Sequence, residues 1–308
     1  MARLLLLAAL ALAGCKALPH PVEPHPIPVA AGTESAPSSW NEVFSSPSDV
    51  EVRVEVAAHW IAWRRGLIDF KHPTTKRSGL ESRPQLISLL VGVVRHPEHG
   101  DFLIDTGIDR TLAAGNTEHV RGVWARLLAT LMPVEDIVAM TRRLDLELAG
   151  VLLTHTHFDH VLGLPDIPST VPVYVGERET ERKGGLAASE RRAVKRLYRG
   201  RPALRGLRAE DGIPLAPFDR AIDVLGDRSI WAIPMPGHTP GSTVYLINAK
   251  SGPVLFLGDT SHTRWGWEHG VGPGLYTDDR EGNRRAVDTL RIFAASHPEV
   301  RVVFGHEL

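Results

Sequence analysis

The stretch Val151-Leu152-Leu153-Thr154-His155-Thr156-His157-Phe158-Asp159-His160 ends an apolar run in three histidines and a carboxylate, packed into six positions. Gly150 to Leu153 is short and apolar and reads as a buried strand. The polar cluster then falls on the loop at the strand's end, before the turn-rich Gly163, Pro165 and Pro168. Side chains alternate along an extended chain, so His155 and His157 point the same way. Asp159 and His160 follow where the chain turns, and can face a second point close by. Imidazole nitrogen with carboxylate oxygen is the ligand set of zinc and its neighbours. A polar loop with satisfied histidines would account for one histidine, but not for His-x-His-x-Asp-His. Three later residues extend the pattern: His238 in Pro236-Gly237-His238-Thr239-Pro240-Gly241, Asp259 in Leu257-Gly258-Asp259-Thr260, and His306 in Phe304-Gly305-His306. Each follows an apolar, strand-like run.

As a set these motifs resemble the metallo-β-lactamase-fold hydrolases with a two-metal site, over roughly Gln85 to the C-terminus. The resemblance implies a four-layer αββα sandwich of mixed α/β class, with the ligand loops along one edge. It implies that His155, His157 and His238 hold one divalent ion and that Asp159, His160 and His306 hold the other, with Asp259 as the bridge. Zinc is the first expectation, and iron, manganese or cobalt suit the same nitrogen and oxygen donors. A hydroxide shared by the two ions would attack an ester or lactone carbonyl, and Asp159 would help to orient it. Asp105-Thr106-Gly107 matches the family's early Asp-Thr-Gly and places Asp105 near the metals. No Gly-x-Ser-x-Gly suggests a serine nucleophile.

The bridging position narrows the chemistry. True β-lactamases of this fold carry serine or cysteine in the second site and lack a bridging aspartate, so Asp259 argues against β-lactam hydrolysis. Lactonases, glyoxalase II-like thioesterases, phosphodiesterases and other esterases remain. The runs from His155 to Gly163 and from Asp259 to Thr263 look most like the N-acyl homoserine lactone lactonases. Those enzymes place a tyrosine three residues after the bridging aspartate, where this chain has His262. The expectation is that His262 lies near the metals and offers a hydrogen bond to a developing oxyanion. A non-enzymatic alternative is a metal-binding sensory lipoprotein on the same fold. A lost ligand would favour it, and none is lost.

At 308 residues and 33.7 kDa the chain can bury a large core, in one long domain or two. A net charge of −1 supplies no field that would direct it to nucleic acid, and a small-molecule substrate is the expectation. Residues 1–14 read as a secretory signal, with Arg3 before the apolar Leu4 to Ala13, a run far shorter than the ~20 residues of a membrane span. Leu12-Ala13-Gly14-Cys15 resembles a bacterial lipobox, which implies lipidation of Cys15 and a membrane anchor in the cell envelope. Cys15 is the only cysteine, so the chain makes no internal disulfide. Lys16 lacks the aspartate associated with inner-membrane retention, which points to the outer membrane. Residues 15–47, rich in Pro, Ser and Ala, read as a stiff tether, and residues 48–308 as the catalytic domain.

Within that domain Val50 to Ala57 alternates as a half-exposed strand, and Gln85 to Arg95 with Asp101 to Asp105 reads as a hairpin. Val120 to Leu131 recurs at helical spacing with Thr117 as its cap, and Ile137 to Leu144 continues a helical face. Glu177 to Arg208 mixes charges of both signs and reads as a solvated helix. Four short strands between Ala221 and Leu257, a helix marked by Ala286, Leu290, Phe293 and Ala294, and a last strand from Val300 to Phe304 complete the chain. Strands and helices thus come in two successive series, which suits two packed sheets with helices outside.

Overall fold

The computed structural model describes residues 20–25, 36–182 and 185–308. Among these, fourteen strands form two sheets. The first sheet has the order β1 (Val22–Pro24), β8 (Leu204–Leu207), β7 (Val173–Gly176), β6 (Leu148–Leu152), β4 (Gly100–Ile104), β3 (Pro84–His96), β2 (Glu51–Trp63), β5 (Met132–Pro133). The second runs β14 (Arg301–Val303), β13 (Val254–Phe256), β12 (Thr243–Ile247), β11 (Ile230–Pro234), β10 (Phe218–Asp223), β9 (Ile213–Leu215). The expected hairpin is β3–β4, with Arg95 opposite Asp101. The half-exposed strand is longer than its alternation suggested: β2 continues through His59 and Trp60 to Trp63, laddered against β3.

Three buried clusters define four layers. Phe102, Ile104, Leu152 and Tyr174 of the first sheet meet Ile222, Ile230, Tyr245 and Phe256 of the second. The other face of the first sheet, through Val91, Val93, Leu103 and Val151, packs on Met140, Leu162 and Leu197. The outer face of the second sheet packs Trp231 and Leu246 on Leu290 and Phe293, from the helix Arg280–Ser296. Asp279 caps that helix by accepting from the backbone N–H of Glu281 and Gly282. This is the αββα sandwich.

Strand direction places the site. β4 and β6 are parallel neighbours, and so are β13 and β14. β11 runs antiparallel to β12, which runs antiparallel to β13, so β11 ends on the same side as β13. The segments that leave β4, β6, β11, β13 and β14 carry Asp105, His155 to His160, His238, Asp259 and His306 respectively.

Two expectations change. The tether does not extend to residue 47: the helix Trp40–Phe44, capped by Ser39, buries Trp40 and Val43. Trp40 stands edge-on to Trp231, Phe218 and Phe293. Val22–Pro24 also pairs in parallel with Leu204–Gly206 on the sheet edge. Aromatic spacing in Trp40 and Phe44 outweighs the proline and serine around it. The signal segment, Cys15 and residues 26–35 lie outside the described residues. The second change is a shorter helix, Val123–Leu128, preceded by Gly122 at φ 68° rather than capped by Thr117.

Candidate metal centre

His155, His157, His238 and Asp259 converge from both sheets, each with a donor atom facing the others, and all are buried. His155 Nε2 lies 2.9 Å from His157 Nδ1, and His238 Nε2 lies 2.8 Å from that same atom. Asp259 Oδ2 is 3.7 Å from His155 Nε2 and 3.3 Å from His238 Nε2. Its other oxygen, Oδ1, is 3.3 Å from His160 Nε2 and 3.3 Å from His306 Nε2. Asp159 Oδ2 completes that second group, 3.5 Å from His306 Nε2 and 4.0 Å from His160 Nε2. Tetrahedral ligands at zinc bond lengths stand about 3.4 Å apart, so the spacings suit one ion in each group. One carboxylate thus turns an oxygen to each set, as a bridge requires. His160 Nε2 and Asp259 Oδ1 are buried without a hydrogen-bond partner, which is costly unless a cation takes their lone pairs.

The protein fixes which nitrogen faces inward. His160 Nδ1 is 2.8 Å from Asp105 Oδ2, and His306 Nδ1 is 2.9 Å from the Ser88 carbonyl. Donation at Nδ1 leaves the Nε2 lone pair free to take a cation. Asp105 also accepts from the Thr154 backbone N–H at 2.8 Å, and it holds φ 60°, a conformation unusual for a residue with a side chain. Asp105 thus lies against His160, one of the candidate ligands. Gly305 serves by its smallness, because a Cβ there would collide with Asp259 Oδ1.

Electrostatics follow the same division. Burial first, then the neighbouring imidazoles, hold His155 well below the ordinary histidine value. Burial also lowers His238, against the pull of Asp259. Burial works the same way at His160, but Asp105, Asp259 and Asp159 outweigh it and raise that histidine well above its usual value. Asp259 is held well below the carboxylate range: burial opposes its charge, and His262, His306 and His160 overcome that. A pocket whose carboxylates keep protons on buried histidines is equally a pocket for cations, which displace those protons.

The charged run from Glu177 departs from expectation. Glu179, Arg182 and Glu190 are buried. Glu179 accepts from the backbone N–H of Thr156 at 3.1 Å and of Gly241 at 3.0 Å, and from the hydroxyls of Thr156 and Thr239. It thereby ties the loop of His155 and His157 to the loop of His238. Glu190 accepts from the Phe158 N–H at 2.8 Å and from Arg182, which also reaches Asp278. The available signal was a threonine directly after two ligand histidines, Thr156 and Thr239, whose hydroxyls share this carboxylate.

His262 lies beside Asp259, and both its nitrogens are engaged. Nε2 lies 2.9 Å from Asp259 Oδ2 and Nδ1 3.1 Å from the Leu67 carbonyl. Neither nitrogen is left free toward a substrate oxygen, so the geometry favours holding Asp259 over donating to an oxyanion. His96, His99 and Asp227 form a remote cluster of possible ligands. There His96 Nδ1 accepts from two backbone N–H groups, and Nε2 donates to Asp227 at 2.7 Å. That set is closed by its own hydrogen bonds.

Residues 127–306 match the family model described as "Metallo-beta-lactamase superfamily". The chain is 27% identical over 219 residues to N-acyl homoserine lactonase AttM of Azorhizobium caulinodans, covering 70% of this chain and 80% of that protein. It is 27% identical to the probable hydroxyacylglutathione hydrolase glo2 of Schizosaccharomyces pombe, over 58% of this chain and 55% of that one. The solved structure of a quorum-quenching N-acyl homoserine lactone lactonase superposes with a TM-score of 0.62 at 20% identity, covering 85% of this chain and 95% of its own. AidC, described as a dizinc quorum-quenching lactonase, superposes with a TM-score of 0.58 at 12% identity, over 85% and 89%. At these identities the solved structures establish the fold alone.

Proposed function

This chain belongs to the metallo-β-lactamase superfamily, and from that premise we propose that it is a two-metal hydrolase of carboxylic esters or lactones, with N-acyl homoserine lactones as the leading substrate class. The observation that carries this reading is Asp259, whose two oxygens face two separate donor groups. When bound, two divalent ions, zinc first, supply Lewis acidity and lower the pKa of an attacking water. His155, His157 and His238 would hold one ion, Asp159, His160 and His306 the other. Asp159 is the least buried of these carboxylate and imidazole ligands, which suits it to orient the water. His262 and Asp105 position Asp259 and His160. Similarity to AttM favours a lactone over the thioester of a hydroxyacylglutathione hydrolase, because it spans more of both chains.

The test is a hydrolysis screen of metal-loaded protein against N-acyl homoserine lactones, a glutathione thioester, a phosphodiester and a β-lactam. Lactone or ester turnover far above the rest is expected. Turnover of the phosphodiester alone, or of nothing at two bound ions per chain, would overturn the assignment. The reading includes lipidation at Cys15 and delivery to the outer membrane. Cys15→Ala should abolish incorporation of labelled fatty acid and leave a precursor of higher mass. Wild-type protein found in the cytosol would refute it.

A further inference from the structure

The rim of the metal centre carries a face that hydrolysis does not use. Ile61 and Trp63 alternate onto one side of β2, and Ile61 stands opposite Leu86 of β3. The three are 43%, 49% and 54% exposed. Leu275 and Tyr276 join them: the Leu275 N–H donates to the Arg65 carbonyl at 3.0 Å, and the Tyr276 ring fills the space over Gly66. Five of the eleven exposed large apolar side chains among the described residues therefore gather here. Contiguous apolar surface of this kind marks an interaction site.

The segment from Arg64 to Arg83 is predominantly basic. Arg64, Arg65, Lys71, Lys76, Arg77 and Arg83 face only Asp69 and Glu81 within the segment, in a chain whose net charge is −1. Arg65, Lys71, Lys76, Arg77 and Arg83 are exposed, and none makes an ion pair among the described residues. Arg65 lies over the Trp63 ring at 5.5 Å. Asp69 is already shared with Arg280 at 3.7 Å.

This face is joined to the centre at three points. The Leu67 carbonyl meets His262, the Ser88 carbonyl meets His306, and the Thr277 hydroxyl meets His238. Each lies within two residues of Arg65, Leu86 or Tyr276. We propose that this face seats the protein on an anionic lipid bilayer, with Ile61, Trp63 and Leu86 at the boundary of headgroups and acyl chains and the basic residues against the headgroups. Tryptophan beside arginine and lysine is the composition of such a boundary. A second copy of this chain is a poorer occupant. A two-fold interface sets the same patch against itself, and here that would oppose unpaired cations. The consequence is a site mouth held at the membrane, reached by amphiphilic substrates directly from the lipid phase.

The experiment uses the full chain and amide hydrogen exchange, so that any lipid binding by the apolar Leu4 to Ala13 is read separately from this face. Vesicles of phosphatidylcholine containing phosphatidylglycerol should protect residues 61–67, 83–87 and 274–277, and vesicles of phosphatidylcholine alone should not. Each basic residue near such a surface contributes about a fivefold factor to partition. The triple variant Arg65→Gln, Lys76→Gln, Arg83→Gln should therefore lose protection at these peptides until lipid is raised about a hundredfold. Trp63→Ser should weaken it further and leave turnover of a soluble substrate unchanged. Equal protection on both vesicles, protection confined to the N-terminal segment, or protection that follows protein concentration without lipid would each overturn the proposal.

Discussion

Replacing Glu179 with glutamine tests how the two ligand loops are held. One oxygen of this buried carboxylate accepts from the Gly241 N–H and the Thr239 hydroxyl, the other from the Thr156 N–H and the Thr156 hydroxyl. The hydroxyls can rotate to accept, but the backbone N–H groups cannot. Whichever way a glutamine amide is turned, its NH2 faces one of those two N–H groups. One buried donor then goes unsatisfied, at about 1–3 kcal/mol, and a charge-assisted bond becomes neutral, at about 1 kcal/mol more. An opposing effect exists: burial raises the pKa of Glu179, so the charged form carries a desolvation cost that glutamine removes. The net loss should be about 2 kcal/mol. Glu179→Ala, which strands both N–H groups and opens a void, should lose about 4 kcal/mol or more. Urea unfolding followed by tryptophan fluorescence reads the stability. Competition with a chromophoric chelator reads the metal, and should show the ion of His155, His157 and His238 held about 10–100-fold more weakly. A glutamine variant with wild-type midpoint and wild-type metal retention would mean that Glu179 is held as the neutral acid, and the reasoning would fail.

Four further outcomes are expected. Asp259→Ala should remove most turnover and leave no more than one ion per chain by elemental analysis, since the two donor groups lose their shared ligand. Asp105→Ala should free His160 Nδ1 and weaken the ion of Asp159, His160 and His306 about 10–100-fold in chelator titrations, with the other ion retained. His262→Gln, which keeps a donor for Asp259, should retain more turnover than His262→Ala, and a kinetically silent alanine variant would leave the residue a loop contact only. Burial, with Asp227 adding, pushes the Asp223 carboxyl up from 3.8 to about 6. The folded state therefore binds this proton more tightly than the unfolded chain does. The stability it provides is complete below pH 3.8 and declines as pH rises through about 6. Asp223→Asn should flatten that part of the melting-temperature profile, and parallel profiles for the two proteins would refute the assignment.

The residues of the candidate metal centre were legible because their information is local. His155, His157, Asp159 and His160 fall within six positions after a strand, and His238, Asp259 and His306 each close a strand of their own. The two-series order of strands carried the layer architecture for the same reason. Glu179, Arg182 and Glu190 were not legible. A run of mixed charge looks alike whether its side chains face water or meet threonine hydroxyls and backbone N–H groups from distant loops. The position of His262 three residues after Asp259 was legible, but the orientation of its ring depends on the Leu67 carbonyl, far away in sequence. Trp40 was hidden by its proline- and serine-rich surroundings, although three aromatic rings of the second sheet and its helix await it.

The candidate ligand set is divided between the sheets. His155, His157, Asp159 and His160 leave β6 of the first sheet, whereas His238, Asp259 and His306 leave strands of the second. Each donor group draws on both, so ions bound there would act as rivets across the seam of the sandwich as well as reagents. Chelation would then remove a crosslink along with the chemistry. Calorimetry of stripped protein should resolve the two halves as separable melting units, and restored zinc should fuse them into a single cooperative transition. Selection for a durable fold and selection for a working hydrolase would in that case press on the same seven side chains, leaving little room to drift away from metal while the architecture survives.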